Sequence, residues 1–448
     1  MTYVECLNYL TESGHELRGV KFDLAAIRHV LAALGDPHLE YPTAIVAGTN
    51  GKGSTCAMLA SILERSGYRT GLYTSPHLVR VNERIRIDGE EIADEAFADL
   101  LTEVRERAER LLAEGTLAQQ PSFFELLTAA AFLHFARERV DFAVLEVGMG
   151  GRLDATNVTH PKVAIITNID LDHQEFLGST RTSIAWEKAG VIKPCTSMIS
   201  GSDRPEVREV IQQRCREVSA SLLELPQAAQ ISNVENRDGR FAFDLTLEGE
   251  SFSGLLPALS GRFQVRNGAA AIAAALKLRQ QGFDIPRDAV ERGIGEARWP
   301  GRLEAISRQP LVLLDGAHNA AAARELAAFV EEQFRGRRLR LVYASMRDKA
   351  IEEIAGFLFP LASEIYVTQV SMARAASPEE ILRRVGSRAR RIFTEPDPAR
   401  ALRMALEASV SEDVVLAAGS LFLVGAAEKA LREGKLVLPP SPALAGSH

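Results

Sequence analysis

Ile45-Val46-Ala47-Gly48-Thr49-Asn50-Gly51-Lys52-Gly53-Ser54-Thr55 gathers glycines around one lysine. An apolar run enters this segment. A helical pattern leaves it, with Met58, Leu59, Ile62 and Leu63 on one face and Gly67 as a stop. Glycines let backbone N–H groups turn inward around an anion. The helix start adds partial positive charge, and the lysine reaches terminal phosphates. Thr49, Asn50, Gly51, Lys52, Gly53 and Ser54 are therefore candidates to hold a nucleotide. The spacing departs from the usual phosphate loop. Its first glycine falls on Val46, and Gly53 stands where a metal-binding Ser or Thr normally follows the lysine. The competing interpretation is an ordinary strand-to-helix turn with an incidental lysine. If Gly53 holds no metal, other side chains must, and Ser54 lies one place away.

Other polar residues stand where apolar runs end. Glu146 closes one run and His173 lies just past another, and open parallel sheets place ligands at the carboxyl ends of strands. Gly150-Gly151-Arg152-Leu153-Asp154-Ala155-Thr156-Asn157 follows a strand as a polar loop. Lys188 sits in a helical pattern after Ile184-Ala185-Trp186. From residue types alone these amount to a polar cluster near a phosphate loop. A capping Ser75, a solvated Glu146, a surface His173 and a solvated Lys188 stay open.

These residues need a scaffold, and the apolar pattern supplies one. Ala44–Ala47, Phe142–Val147, Val163–Thr167, Leu311–Leu314, Leu339–Ala344, Ile365–Val370 and Val414–Ala418 read as buried parallel strands. Helical segments such as Leu126–Ala136 and Ala322–Phe334 separate them, so the class is α/β with right-handed crossovers. Arg240–Leu247 alternates with period two after the turn Asp238-Gly239, predicting a small antiparallel insert at about 231–259. An alanine-rich helix follows from about Val265. Trp299-Pro300-Gly301-Arg302 pairs two helix breakers before a fresh strand, which places a domain boundary there. The expected domains are 1–298 and 299–438, with a flexible tail at 439–448.

The 448 residues suit two or three domains. Hydrophobic residues at 46% and charged residues at 25% exclude collagen-like, disordered and coiled-coil chains. No stretch of about 18 apolar residues would span a bilayer, and Met1–Leu10 lacks the basic start of a secretory signal. A net charge of −7 with both signs dispersed argues against a nucleic-acid partner. Cys6, Cys56, Cys195 and Cys215 lack metal-ligand spacing and read as free thiols in a reducing cytoplasm.

Gly48-Thr49-Asn50-Gly51-Lys52-Gly53-Ser54 resembles the phosphate loop of the folylpolyglutamate synthase and dihydrofolate synthase family, within the Mur ligase superfamily. Further matches follow in the family's order: Tyr73-Thr74-Ser75-Pro76-His77-Leu78, Leu145-Glu146-Val147-Gly148-Met149 and the polar loop after it, and Asp170-Leu171-Asp172-His173. Glu187-Lys188-Ala189-Gly190, Pro300-Gly301-Arg302 and Asp315-Gly316-Ala317-His318-Asn319 complete the set. Several motifs in fixed order, over nearly the whole chain, are far more specific than any one.

The resemblance implies an N-terminal P-loop-type parallel-sheet domain and a smaller, Rossmann-like C-terminal glutamate-ligase domain. It implies a ligase in which a carboxylate attacks the γ-phosphate of ATP, and glutamate's amine then displaces phosphate from the acyl phosphate. Ser75, Glu146 and His173 would hold Mg²⁺, while a carbamylated Lys188 would add an anionic ligand. Lys52, Lys188 and His173 would be the catalytic set. Asn267, Arg302, Asp315 and His318 would contact the nucleotide, although Arg302 and Asp315 also suit a structural ion pair. Phe124, Arg152, Leu153, Asp154, Ala155 and Thr156 would meet the pterin-bearing substrate, with Phe123 in the core. The loops at Ser345–Lys349 and Gly419–Leu421 would frame the glutamate. The expected activity is ATP-dependent ligation of L-glutamate to folate, and also to dihydropteroate, by a cytoplasmic monomer with no nucleic-acid or membrane partner. The alternatives are a ligase building peptides on a UDP-sugar and a non-catalytic nucleotide switch.

Overall fold

The computed structural model describes residues 1–13, 23–386 and 391–438. The expected tail at 439–448 lies outside the described residues. The chain separates into two compact units. The first comprises Met1–Glu235, Ala242–Ala258 and Gln264–Arg298; the second comprises Asn236–Phe241, Leu259–Phe263 and the chain from Trp299 onward.

In the first unit, eight strands form one sheet. Their order is Glu90–Glu91, Ile85–Ile87, Thr70–Tyr73, Phe142–Glu146, Thr43–Ala47, Val163–Ile166, Ser197–Ser200 and Ser221–Glu224. Neighbours from Thr70–Tyr73 to Ser221–Glu224 run parallel, and the first two strands add an antiparallel edge. Thr43–Ala47 and Phe142–Glu146 are buried along their whole length, which explains their unbroken apolar runs. Register then decides which loops meet. Val46 pairs with Glu146, Ala47 with Ile166, and Tyr73 with Leu145. The segments beginning at Gly48, Thr74, Val147 and Thr167 therefore leave the sheet at one edge.

Helix Lys52–Arg65 follows the first of these segments, and helix Phe123–Arg137 covers part of the same core. Ser122 and Glu125 start the latter with a reciprocal cap: the Ser122 hydroxyl accepts from Glu125 N–H at 3.3 Å, and Glu125 Oε2 accepts from Ser122 N–H at 2.8 Å. The alternating run is a strand at Arg240–Leu247, between Glu250–Leu255 and Gln230–Arg237 in a three-stranded sheet. Helix Phe263–Gln280 follows it.

The second unit has a six-stranded sheet, ordered Glu304–Arg308, Leu311–Leu314, Val414–Ala418, Leu339–Tyr343, Glu364–Val367 and Ile392–Thr394. All neighbours are parallel except the first pair. Among the described residues, no helix is long and apolar enough to cross a membrane.

Candidate active site

The phosphate loop is shaped by two left-handed glycines and by the strand beside it. Gly51 has φ 83° at the start of helix Lys52–Arg65, and a Cβ there would lie 2.4 Å from Asn267 Oδ1. The left-handed conformation favours glycine there, and a side chain would also have to displace the Asn267 amide. The neighbouring strand's exit pins the loop from the other side. Thr49 N–H donates to Asn168 O at 2.9 Å, Asn50 N–H donates to Asn168 Oδ1 at 2.8 Å, and Thr167 Oγ1 donates to Asn50 O at 2.6 Å. Thr49 Oγ1 donates to Asp170 O at 3.1 Å and accepts from Asp170 N–H at 3.0 Å. Asp170's carboxylate in turn pairs with Arg181 at 2.8 Å and Arg204 at 3.3 Å.

Two lysines converge on one carbonyl of this loop. Lys52 Nζ donates to Gly48 O at 3.2 Å and Thr49 O at 3.3 Å, and Lys188 Nζ donates to Gly48 O at 2.8 Å. Lys188 is buried, so it is not the solvated helix lysine that its pattern allowed. Burial, with a smaller push from Lys52, lowers its pKa to about 7. Glu146 is buried at the end of its strand, and its Oε2 accepts the Ser75 N–H at 3.1 Å, so the structure brings these two expected ligands together. His173 takes a left-handed backbone, φ 50°, at the start of the short helix Gln174–Leu177; Asp172 Oδ1 accepts its N–H at 2.9 Å.

Among the described residues, no three His, Cys, Asp or Glu side chains gather into a metal cluster. A divalent ion here would draw on a mixed set: one buried carboxylate, a serine and an imidazole. That set suits a hard cation that keeps several waters and binds phosphate oxygens.

The loop after Glu146 turns on Asp154. Its Oδ2 accepts from Met149 N–H at 2.9 Å, and its Oδ1 accepts from Thr156 N–H at 3.0 Å and from the Thr156 hydroxyl at 2.5 Å. Asp154, Ala155 and Thr156 are all buried, and burial raises the Asp154 pKa. Arg152 reaches back to the helix Arg181–Ala189. Its guanidinium donates to Glu187 Oε1 at 3.0 Å and Oε2 at 3.3 Å, and lies 4.4 Å from the centroid of the exposed Trp186 ring. Lys193 Nζ donates to the carbonyls of Asn157 (2.5 Å) and Thr159, and burial lowers its pKa to about 8. Leu153 is half-buried. Phe124 is half-buried against Tyr73, ring centroids 5.9 Å apart, and a Cβ on Gly148 would come within 2.7 Å of its Cζ. Phe123 packs on the edge of the core under the Arg84 guanidinium, 5.4 Å from its ring centroid.

Helix Phe263–Gln280 brings Asn267 to the phosphate loop, and with it Gln264, which residue patterning had not singled out. Asn267 Nδ2 donates to Gln264 Oε1 at 2.8 Å, and Gln264 Nε2 donates to Ser54 Oγ at 3.3 Å. Glu187, Trp186 and Lys193 were likewise unsuspected as supports. Trp186 and Glu187 are ordinary residues of the helix Arg181–Ala189 and Lys193 lies in the loop after it, and only the fold gives each its partner.

In the second unit, Asp315 ends the strand Leu311–Leu314 and is buried. Its carboxylate oxygens accept the N–H of Leu303 and of Ala317, each at 2.9 Å, and burial raises its pKa. Arg302 does not form the ion pair with Asp315 that remained open; its Nη1 donates to Gly301 O at 3.1 Å. His318 Nδ1 lies 2.8 Å from Gly316 O. Ser345 is buried after Leu339–Tyr343, and Gly419 follows Val414–Ala418 with φ 105°.

A glycine-lined loop on whose carbonyl a buried lysine and a half-buried one converge, together with a second α/β unit, fits the class of ATP-dependent amide ligases. Residues 46–275 match the Mur ligase middle domain, and residues 301–421 match the Mur ligase, glutamate ligase domain. The chain is 34% identical over 416 residues to the dihydrofolate synthase/folylpolyglutamate synthase of Bacillus subtilis (strain 168), covering 92% of this chain and 96% of that one. Among solved structures, an E. coli FolC in complex with DHPP and ADP matches with TM-score 0.87 and 30% identity, over 97% of this chain and 99% of its own. A bifunctional folylpolyglutamate synthase/dihydrofolate synthase with Mn, AMPPNP and L-glutamate bound matches with TM-score 0.83 and 31% identity, over 96% and 98%; its counterpart from Yersinia pestis CO92 matches equally. The chain belongs to the dihydrofolate synthase/folylpolyglutamate synthase family of Mur ligases.

Proposed function

We propose that one site on this chain performs both glutamate-joining reactions of the family, on dihydropteroate and on reduced folates. The chain is an ATP- and divalent-metal-dependent ligase that joins L-glutamate to folate. The substrate carboxylate attacks the γ-phosphorus and ADP leaves, giving an acyl phosphate. Glutamate's amine then attacks the acyl carbon, loses a proton and expels phosphate as the amide forms. Lys52 exchanges its two carbonyl acceptors for phosphate oxygens, so its charge is spent where negative charge gathers. Glu146, Ser75 and His173 would hold Mg²⁺, which supplies charge neutralisation on the phosphates.

Lys188 is proposed to be carbamylated. Its pKa of about 7 leaves much of the amine neutral, able to attack CO₂ and lose a proton. The resulting anion would sit beside Lys52 instead of repelling it. Phe124 and Leu153 are proposed to meet the pterin. Asp154, Ala155 and Thr156 hold their loop from within, and Arg152 ties it to the helix that carries Lys188. Arg302 is proposed as a cation for nucleotide oxygens. Asn267 in the first unit and His318 in the second are proposed as nucleotide contacts, and Asp315, with both oxygens engaged on the backbone of Leu303 and Ala317, as a support for its own loop. Buried free Cys6, Cys56 and Cys215 suit a reducing cytoplasm, where we place the chain.

The observation carrying this reading is the convergence of Lys52 and Lys188 on Gly48 O, one strand from the buried Glu146. The test supplies ATP, Mg²⁺ and L-glutamate with dihydropteroate or tetrahydrofolate separately, and identifies products by mass. Amide product from each is expected. Product from tetrahydrofolate alone would remove the first activity. No amide from either, with ATP hydrolysis stimulated by a UDP-muramoyl peptide, would overturn the folate assignment.

A further inference from the structure

Three side chains next to the phosphate loop form a directional chain of hydrogen bonds. Ser54, in the first turn of helix Lys52–Arg65, and Gln264, in the first turn of helix Phe263–Gln280, are each 1% exposed. Asn267 follows one turn after Gln264. An amide nitrogen donates and cannot accept. Gln264 Nε2, 3.3 Å from Ser54 Oγ, is therefore the donor, and the serine hydroxyl accepts. Gln264 Oε1 accepts in turn from Asn267 Nδ2 at 2.8 Å. This leaves the Ser54 O–H hydrogen for an acceptor other than Gln264. It also turns Asn267 so that its Oδ1 is the atom facing Gly51. An amide rotated by half a turn at position 264 would offer Ser54 an acceptor and Asn267 a donor, and would reverse both outcomes.

We infer that Gln264 is a positioning residue for the nucleotide: its amide fixes Ser54 as a hydroxyl donor at the phosphate loop and Asn267 as an acceptor against Gly51. The inference rests on the nucleotide reading of this loop. A donating hydroxyl suits an anionic phosphate, whereas an accepting one would set oxygen against oxygen. The loop has reason to recruit such a donor, because Gly53 supplies none beside Lys52. The Gln264–Ser54 bond is buried, so water does not readily replace it when one partner is lost, whereas the bond to the half-buried Asn267 is partly open.

The test compares wild type with Gln264→Met, Gln264→Glu, Ser54→Ala and the double variant Gln264→Met/Ser54→Ala. It measures ADP affinity by calorimetry, together with KM for ATP, KM for tetrahydrofolate and kcat. Gln264→Met keeps length and loses both hydrogen bonds. ADP affinity and KM for ATP should each worsen about tenfold, from one or two buried hydrogen bonds, with KM for tetrahydrofolate within about twofold and the melting temperature nearly kept. Gln264→Glu keeps the acceptor for Asn267 but takes the serine's hydrogen, so its ADP affinity should fall at least as far. Because Gln264 acts through Ser54, the double variant should be about as weak as the worse single variant rather than their product. Multiplicative losses in the double variant, equal rises in both KM values, or unchanged ADP binding in both Gln264 variants would overturn the inference. Wild-type protein that binds no ADP would instead overturn the nucleotide reading itself.

Discussion

Arg340 in the second unit and Lys188 in the first are both buried cations, and their partners differ in kind. The Arg340 side chain is 2% exposed and pairs with Glu364 at 2.8 Å and Asp413 at 2.5 Å, and Ser409 accepts from it at 3.2 Å. Tyr366 and Arg391 complete the shell around Glu364. Lys188 meets a backbone carbonyl that it shares with a second lysine, and among the described residues no carboxylate lies within ion-pair distance of either. A buried charge that the protein neutralises itself belongs to the architecture. A buried charge set beside another of the same sign is costly. At the carboxyl edge of a parallel sheet, that imbalance marks the place where an anion is expected to arrive.

The sharpest test of the contrast is to remove the balanced cation. Arg340→Ala strands two carboxylates and should cost about 3–5 kcal/mol of stability, with kcat of the folded fraction unchanged. Urea denaturation read beside turnover checks it, and a large fall in kcat at normal stability would break the comparison. Lys52→Ala should do the reverse. It should cost on the order of 2–4 kcal/mol of transition-state stabilisation while the melting temperature holds, read by phosphate release. Near wild-type turnover would remove the phosphate-loop assignment.

Lys188→Met should stabilise the ligand-free, CO₂-depleted protein, by roughly 1–3 kcal/mol after relaxation of the site. The pH dependence has a definite sign. The folded pKa of about 7 lies below the ordinary lysine value of 10.5. Below about 7 both states are protonated and wild type carries the full cost of burial. Between about 7 and 10.5 the unfolded chain binds the extra proton, so wild type gains stability as pH rises and the variant's advantage fades. Denaturation curves across that range check it, and a constant gap would mean that Lys188 carries no buried charge.

Smaller again is Glu146→Gln, which should raise the Mg²⁺ concentration for half-maximal rate about tenfold, the loss of one charged ligand. An unchanged titration would move the metal elsewhere. Trp186→Ala removes a partly exposed cation–π contact worth about 0.5–1 kcal/mol. It should raise KM for the folate a few-fold through the Arg152 loop without altering KM for ATP.

Much of the scaffold was legible because its strands are buried along all or nearly all of their length. Phe142–Glu146, Leu311–Leu314 and Val414–Ala418 stand out as apolar runs bounded by polar turns. Thr70–Tyr73, Ser197–Ser200 and Ser221–Glu224 did not, since four residues containing Thr, Gly or Ser carry no periodicity. Thr70–Tyr73 nonetheless delivers Ser75 to Glu146. The site's vocabulary was partly legible: Gly51 and Lys52 suggested a phosphate loop by residue type between a strand and a helix, although the spacing departs from the usual one.

Residue types and order thus determined the α/β class and the boundary near Trp299, and pointed to a phosphate-binding turn, because buried strands and glycine-rich turns depend on local pattern. Partnership was decided only in three dimensions. Nothing local distinguishes Lys188, which donates to Gly48 O across 140 residues and shares that carbonyl with Lys52, from a solvated helix lysine. Nothing local distinguishes Asp154, whose oxygens hold its own loop, from a carboxylate that faces a substrate. Gln264 and Ser54 lie 210 residues apart, and parallel-sheet crossovers and helix packing bring them within a hydrogen bond. Charge, donor direction and burial are properties of neighbours, and in this fold the decisive neighbours are distant in sequence.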